Sequence, residues 1–373
     1  MELPTSPHIV EALQRRAGHP TYGYTYQPEV MWAAVANWLR QYHGWSVHPS
    51  QFVFAPSVVT SFSLALRALT QPGDRVLLMT PLYEPLQHAV TGLGRSLIRF
   101  PLREGANLAG IKPAEEETLE DERELQLDLE GRLEPLLPTT KLVLLCSPHN
   151  PAGRVWQRSE LVALAAACAR YGVILVEDAI WADWCLWGET FVPFASAAAE
   201  AKQATGVECR HVCLGAPSKT WNLGGLHASW VYFSDDMLRH AYLAEAEPAT
   251  LTFGSTFATE AMLAAYNHGM PWLLEAKAYV EANLLYVTSE LREHVPEITP
   301  LMPRATYLLW LDCSGLGFGC AADLHRFMIE EAQLLLSPGA SFAPGTTARY
   351  FNTAFIFTHL PRRFRESRRH QVI

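Results

Sequence analysis

The chain has 373 residues, 49% of them hydrophobic and only 18% charged, with 11 Trp, 13 Tyr and 16 Phe, which supplies enough apolar surface to fold and excludes disorder as the main theme. That length exceeds what one ordinary core serves, so a large domain with a smaller lobe is expected. A net charge of −9 argues against a nucleic-acid binder, and no apolar run of about 18 residues free of charge or proline supports a membrane span.

In chain order, residues 28–43 repeat apolar side chains at Val30, Ala34, Trp38, Leu39 and Tyr42, the stripe of an amphipathic helix that Gly44 ends. Short apolar runs then alternate with helical stretches: a strand at 52–54, a helix at 59–69, a strand at 75–79 and a helix at 85–93. The pattern lapses at 102–127 into Gly, Pro and a Glu run, read as an exposed insertion. It resumes with a strand at 141–145, a helix at 159–170 and strands at 173–177 and 212–215. Continuous apolar runs separated by helices are what strands buried on both faces of a mostly parallel sheet look like. After about residue 275 the texture changes. A long helix at 272–294, a strand at 306–312, a helix at 322–332 and a strand at 348–354 read as a smaller α+β lobe.

Charge is concentrated in two places. Residues 115–124 hold seven acids and one Arg, and residues 361–370 hold five Arg and one Glu, a tail read as solvated and given no function. The seven Cys are an odd number without a CxxC pair or a Cys/His cluster at zinc-ligand spacing, which fits a reducing cytosol. Cys146, Cys168 and Cys213 lie in apolar runs and read as small buried hydrophobes. No signal peptide opens the chain, so the expected location is cytoplasmic.

Four short motifs fall at strand ends, where open α/β sheets hold their ligands. They are Pro56-Ser57-Val58-Val59, Ser147-Pro148-His149-Asn150-Pro151-Ala152-Gly153, Glu177-Asp178-Ala179-Ile180-Trp181 and Ala216-Pro217-Ser218-Lys219-Thr220-Trp221-Asn222. Singly they are ordinary: Asn150 reads as a turn former, Asp178 as a helix cap and Lys219 as a solvated loop lysine. Together they have one chemical meaning. A lysine can form a Schiff base, a carboxylate can keep a pyridine nitrogen protonated, an amide can donate to a phenolate oxygen, and a turn entering a helix can bind phosphate.

On these motifs, together with Tyr22-Gly23-Tyr24 and the run ATYLLWLD at 305–312, the chain resembles the fold-type-I pyridoxal-phosphate (PLP) enzymes of the class I/II aminotransferase superfamily. Within it the chain is similar to the MalY/PatB group of cystathionine β-lyases, or C–S lyases, over nearly its whole length. The resemblance implies an α/β fold with a mostly parallel seven-stranded sheet between helices. It also implies three parts: an N-terminal segment (1–26) serving the small lobe and the partner's site, a large PLP-binding domain (27–275) and a small C-terminal α+β domain (276–373).

Carried over by position, the resemblance makes Lys219 the Schiff-base lysine and proton shuttle, Asp178 the partner of the pyridine nitrogen, and Asn150 the donor to the ring hydroxyl oxygen. Tyr83 would stack on the ring, and the backbone of Val58 and Val59, with Ser218, would hold the phosphate. Tyr24 would enter the partner's site in a homodimer. Three departures accompany it. The chain starts inside the family's usual opening, which implies either a misassigned start or a lost pocket wall. Trp181 stands where the family has Tyr or His, and an indole N–H can donate but not accept a proton. Tyr350 falls at the position of the arginine that grips the substrate carboxylate, with Arg349 adjacent but on the opposite face of a regular strand. The reaction implied is α,β-elimination from a sulfur-bearing amino acid; an aminotransferase and a PLP-binding homologue without turnover are the alternatives.

Overall fold

The computed structural model describes residues 3–106, 123–343 and 350–354, the last five by their backbone. Arg349, the Arg-rich tail and most of the acidic run lie outside the described residues. Helix α1 (Pro7–Ala17) starts on a proline, whose missing N–H costs nothing in a first turn. Helix α2 (Glu29–His43) forms where expected and ends at Gly44, but its buried face is shifted: Ala34, Trp38 and Leu39 of the expected stripe are buried together with Met31 and Val35, whereas Val30 and Tyr42 are exposed. Then come β1 (Phe52–Ala55), α3 (Val58–Leu69), β2 (Arg75–Thr80), α4 (Glu84–Gly92), β3 (Ser96–Pro101), β4 (Arg103–Ala106) and β5 (Arg123–Gln126). The rest of the large sheet and its cover are β6 (Leu142–Cys146), α5 (Arg158–Tyr171), β7 (Ile174–Asp178), α6 (Phe194–Thr205), β8 (His211–Gly215), β9 (Ser229–Phe233), α7 (Asp236–Ala246) and α8 (Thr256–His268).

The large sheet has seven strands in the order β1-β9-β8-β7-β6-β2-β3, all parallel except β9, which runs antiparallel to both neighbours. Its central strands are buried on both faces, and the period of two sorts their side chains between two cores. Val76, Leu78, Leu142, Leu144 and Val176 join the core that includes α2 and α3, whereas Leu77, Met79, Val143, Leu145 and Leu175 join the core under α5 and α6. Beyond α9 (Met270–His294), a four-stranded antiparallel sheet is built from β10 (Thr299–Leu301), β11 (Leu308–Asp312), β12 (Ser337–Pro338) and β13 (Tyr350–Ala354), with α10 (Ala321–Glu330) between β11 and β12.

Two readings need correction. The segment 102–127 is not wholly exposed: β4 and β5 form a hairpin at its base, where Leu102 and Leu125 are buried in the α5/α6 core. The sheet also includes β3 and β9, which the apolar alternation did not reveal. Strand β3 lies at the sheet edge with Ser96 and Arg99 exposed, so its run is broken by polar residues.

Candidate active site

All four motifs converge at the carboxyl ends of parallel strands. Strand β1 leads to Ser57, whose Oγ caps α3 by accepting from the N–H of Thr60 (3.1 Å). The N–H groups of Val58 and Val59 then open the helix, where no intrahelical carbonyl is available to them. Asp178 closes β7 in register between Cys146 and Leu214, which places it at the middle of the sheet. Lys219 lies in the turn just past β8.

Asp178 is buried and its Oδ1 accepts from the Ile180 N–H at 3.1 Å. Burial pushes its carboxyl up to about 6, against the lowering pull of that hydrogen bond and of the Lys219 charge. Lys219 is partly buried; desolvation lowers its amine, and the Asp178 charge opposes the shift. Its Nζ lies 5.8 Å from the centre of the Trp181 ring, at the outer limit of a cation–π contact. Trp181 and Trp184 meet the ring of Tyr307 edge-on, at 4.7 and 5.0 Å. Thr306, a buried β-branched residue at φ 73°, turns the chain to present that ring, a strained conformation of the kind that concentrates at functional sites.

Asn150 is buried with its side-chain oxygen unpartnered. Its loop is fastened on two sides. His149 donates from Nε2 to the Pro81 carbonyl (2.8 Å), tying the loop to the turn that carries Tyr83, and burial lowers this imidazole to about 4, so it is neutral. The Gly153 carbonyl accepts from the N–H groups of Arg304 and Ala305, both at 2.8 Å. Gly153 sits at φ +64°, where an added Cβ would lie 2.3 Å from Pro303 Cβ, so the sequence needs glycine for this close approach. Gly153→Ala is expected to cost about 2–4 kcal/mol of stability and to displace Asn150, read as a lower denaturation midpoint and weaker cofactor retention.

Tyr83 stands at the head of α4 and is 42% exposed, open to a ligand. Ser218 and Val59 are partly buried, and Val58 is buried. Tyr24 is 96% exposed, beside the exposed Tyr22 and Tyr26. In the small sheet the backbone of Tyr350 pairs with that of Asp312, and the backbone of Asn352 with that of Trp310. Of the aromatic residues near the motifs, Trp156, Trp181, Trp184 and Trp221 are buried core, Trp181 with its ring toward the Lys219 amine, while Tyr83 is exposed. Among the described residues no cluster of His, Cys, Asp or Glu could hold a metal ion, and no helix is long and apolar enough to cross a membrane.

These residues fit a phosphorylated, cationic ring. Without a cation opposite, Asp178 is a buried carboxylate with a raised pKa. In the cofactor-free protein the consequence is a pH dependence with a definite sign. The folded pKa of about 6 exceeds the ordinary 3.8, so the stabilising contribution is full below about pH 4 and is lost as pH rises through about 6. The loss is about 2–3 kcal/mol. Asp178→Asn is expected to remove this step, seen as a smaller drop in denaturant midpoint between about pH 4.5 and about pH 7.5 than in the parent. Glu177, on the opposite face of β7, is raised by burial to about 8 and contributes its own decline in both proteins.

An open α/β sheet with a lysine, a carboxylate and an amide at its central strand ends defines the class. The chain belongs to the aminotransferase class I and II family, whose model matches residues 1–350. It is 35% identical to cystathionine beta-lyase PatB of Bacillus subtilis (strain 168), covering 92% of this chain and 84% of that protein. It is 30% identical to protein MalY of Escherichia coli (strain K12), covering 92% and 82%. Among solved structures, cystalysin from Treponema denticola, which contains a pyridoxal 5'-phosphate cofactor, superposes with a TM-score of 0.84 at 25% identity, over 95% of this chain and 84% of that one.

Proposed function

We propose that this protein is a PLP-dependent C–S lyase that, with one water, converts a cystathionine-like amino acid to a thiol, ammonia and a 2-oxo acid. The observation that carries the reading is the pair formed by Lys219 and Asp178, a desolvated amine and a desolvated carboxylate that feel each other's charge at the ends of adjacent strands. The cystathionine β-lyase names of relatives at 35% and 30% identity support it, PatB by its name and the mycobacterial proteins by theirs.

Bound PLP supplies an electron sink for the pair left at the substrate Cα when its proton departs. Asp178 holds the proton on the ring nitrogen, and its water-poor setting strengthens that pairing. Asn150 would donate from its amide to the ring hydroxyl oxygen, Tyr83 would stack on the ring, and Val58, Val59 and Ser218 would hold the phosphate. Lys219 Nζ removes the Cα proton, aided by the desolvation that favours its neutral form, and then delivers a proton to the leaving sulfur. Trp181 contributes an apolar wall and the face beside Lys219, with no proton to exchange. The substrate carboxylate falls to the strand that begins at Tyr350, or to Arg349 beside it.

The exposed Tyr22, Tyr24 and Tyr26 support a homodimer in which Tyr24 completes the partner's site. We assign the enzyme to the cytoplasm, consistent with seven free cysteines of which six are buried. The division at residues 26 and 275 belongs to the same reading, and places the joint between the domains inside α9. Thiol release from cystathionine without an added 2-oxo acid tests the function. A Tyr24→Phe chain and a Lys219→Ala chain, each impaired alone, are expected to regain activity when mixed, because the heterodimer keeps one intact site; no recovery would place both residues in a single-chain site.

A further inference from the structure

A polar network beside Lys219 is used by none of the roles above. Asp183, in the short turn Ala182–Trp184 after β7, accepts hydrogen bonds from Trp38 Nε1 (2.8 Å), Thr220 Oγ1 (2.7 Å) and His43 Nε2 (2.7 Å). Its side chain is 10% exposed. Burial alone would raise its carboxyl, but hydrogen bonds from His43, Thr220 and Trp38, together with the His43 charge, hold it below the ordinary value. The same turn grips the neighbouring peptide, since Trp184 Nε1 donates to the Lys219 carbonyl at 2.7 Å. Trp221 extends the hold: its ring packs edge-on against Trp38 (4.9 Å) and Tyr266 (5.2 Å), and its Nε1 donates to the Gly269 carbonyl at 3.0 Å. Residues 219, 220 and 221 are thus each tied to a different buried partner.

A lysine side chain is long and freely rotating, so where its amine can reach is set by how firmly its backbone is held. We propose that Asp183 is a positioning residue for Lys219, fixing through the Thr220 hydroxyl the backbone from which the lysine amine works, with His43 and Trp38 of α2 anchoring the carboxylate. The inference rests on the reading of Lys219 as the cofactor lysine. It predicts that loosening this clamp changes the chemistry at Lys219 and not only the stability of the fold. A less restrained backbone would let the amine move toward water, which relieves the desolvation that lowers its pKa and so raises the midpoint.

The test compares PLP-loaded parent, Thr220→Val, which keeps the shape and loses the hydroxyl, and Thr220→Ser, which keeps the hydroxyl. Each is reduced with borohydride to label the cofactor lysine, its visible band is titrated, and kcat and KM are measured with cystathionine. In Thr220→Val the label is expected to stay on Lys219 while the midpoint of the band rises by about half a pH unit and kcat falls about tenfold at nearly constant KM. Thr220→Ser is expected to restore both. A Thr220→Val protein with parental midpoint and kcat, whatever its thermal stability, would overturn the positioning role while leaving the lysine assignment standing. A parent unlabelled at Lys219 would overturn both.

Discussion

Lys219→Ala is expected to abolish the visible absorption band of the PLP-loaded protein and to leave no lysine labelled after borohydride reduction. The substitution removes two functions together, the covalent anchor of the cofactor and the amine that moves the Cα proton, so elimination should fall by about 10⁴-fold or more. The fold should survive, because Lys219 is only partly buried and its neighbours Thr220 and Trp221 keep their own partners. Absorption, peptide mass spectrometry of the reduced protein and thermal unfolding read these three outcomes separately. A band and label persisting on another lysine would mean that the turn after β8 is not the cofactor site.

Asp178→Ala should give a different pattern. The cofactor stays linked to Lys219 and the label is retained, but the ring nitrogen loses the carboxylate that keeps it protonated. Removing one member of a buried ion pair costs about 3–5 kcal/mol, which at the transition state is about 10²–10⁴-fold in rate. The loss should fall on kcat more than on KM, since the charge matters most when the Cα pair is being accommodated. A variant that keeps parental kcat would show that another group holds the ring nitrogen.

The positions of Lys219 and Asp178 at strand ends were legible in the sequence for a physical reason, while their roles follow from the resemblance. The chemistry requires a lysine, a carboxylate and an amide at strand ends, and an apolar run followed by a short polar motif marks a strand end without a structure. Strands 75–79, 141–145, 173–177 and 212–215 were found within a residue or so of β2, β6, β7 and β8, because strands buried on both faces are continuously apolar. Edge strand β3, with Arg99 in its middle, carries no such mark. The Asp183 clamp was invisible for another reason: Thr220 and Asp183 are 37 residues apart and meet only through the sheet. The state of Asp178 was hidden too. The protein alone raises its pKa to about 6, because burial acts before any cation is present.

The central claim is elimination, and the product balance of one reaction tests it most directly. Cystathionine is supplied to the PLP-loaded protein with no 2-oxo acid acceptor, and thiol, ammonia and 2-oxo acid are quantified over many turnovers. The three products are expected in equal amounts, at a rate that added acceptor does not raise. Turnover that requires an acceptor 2-oxo acid and releases neither ammonia nor thiol would instead make this protein an aminotransferase, and would contradict the account.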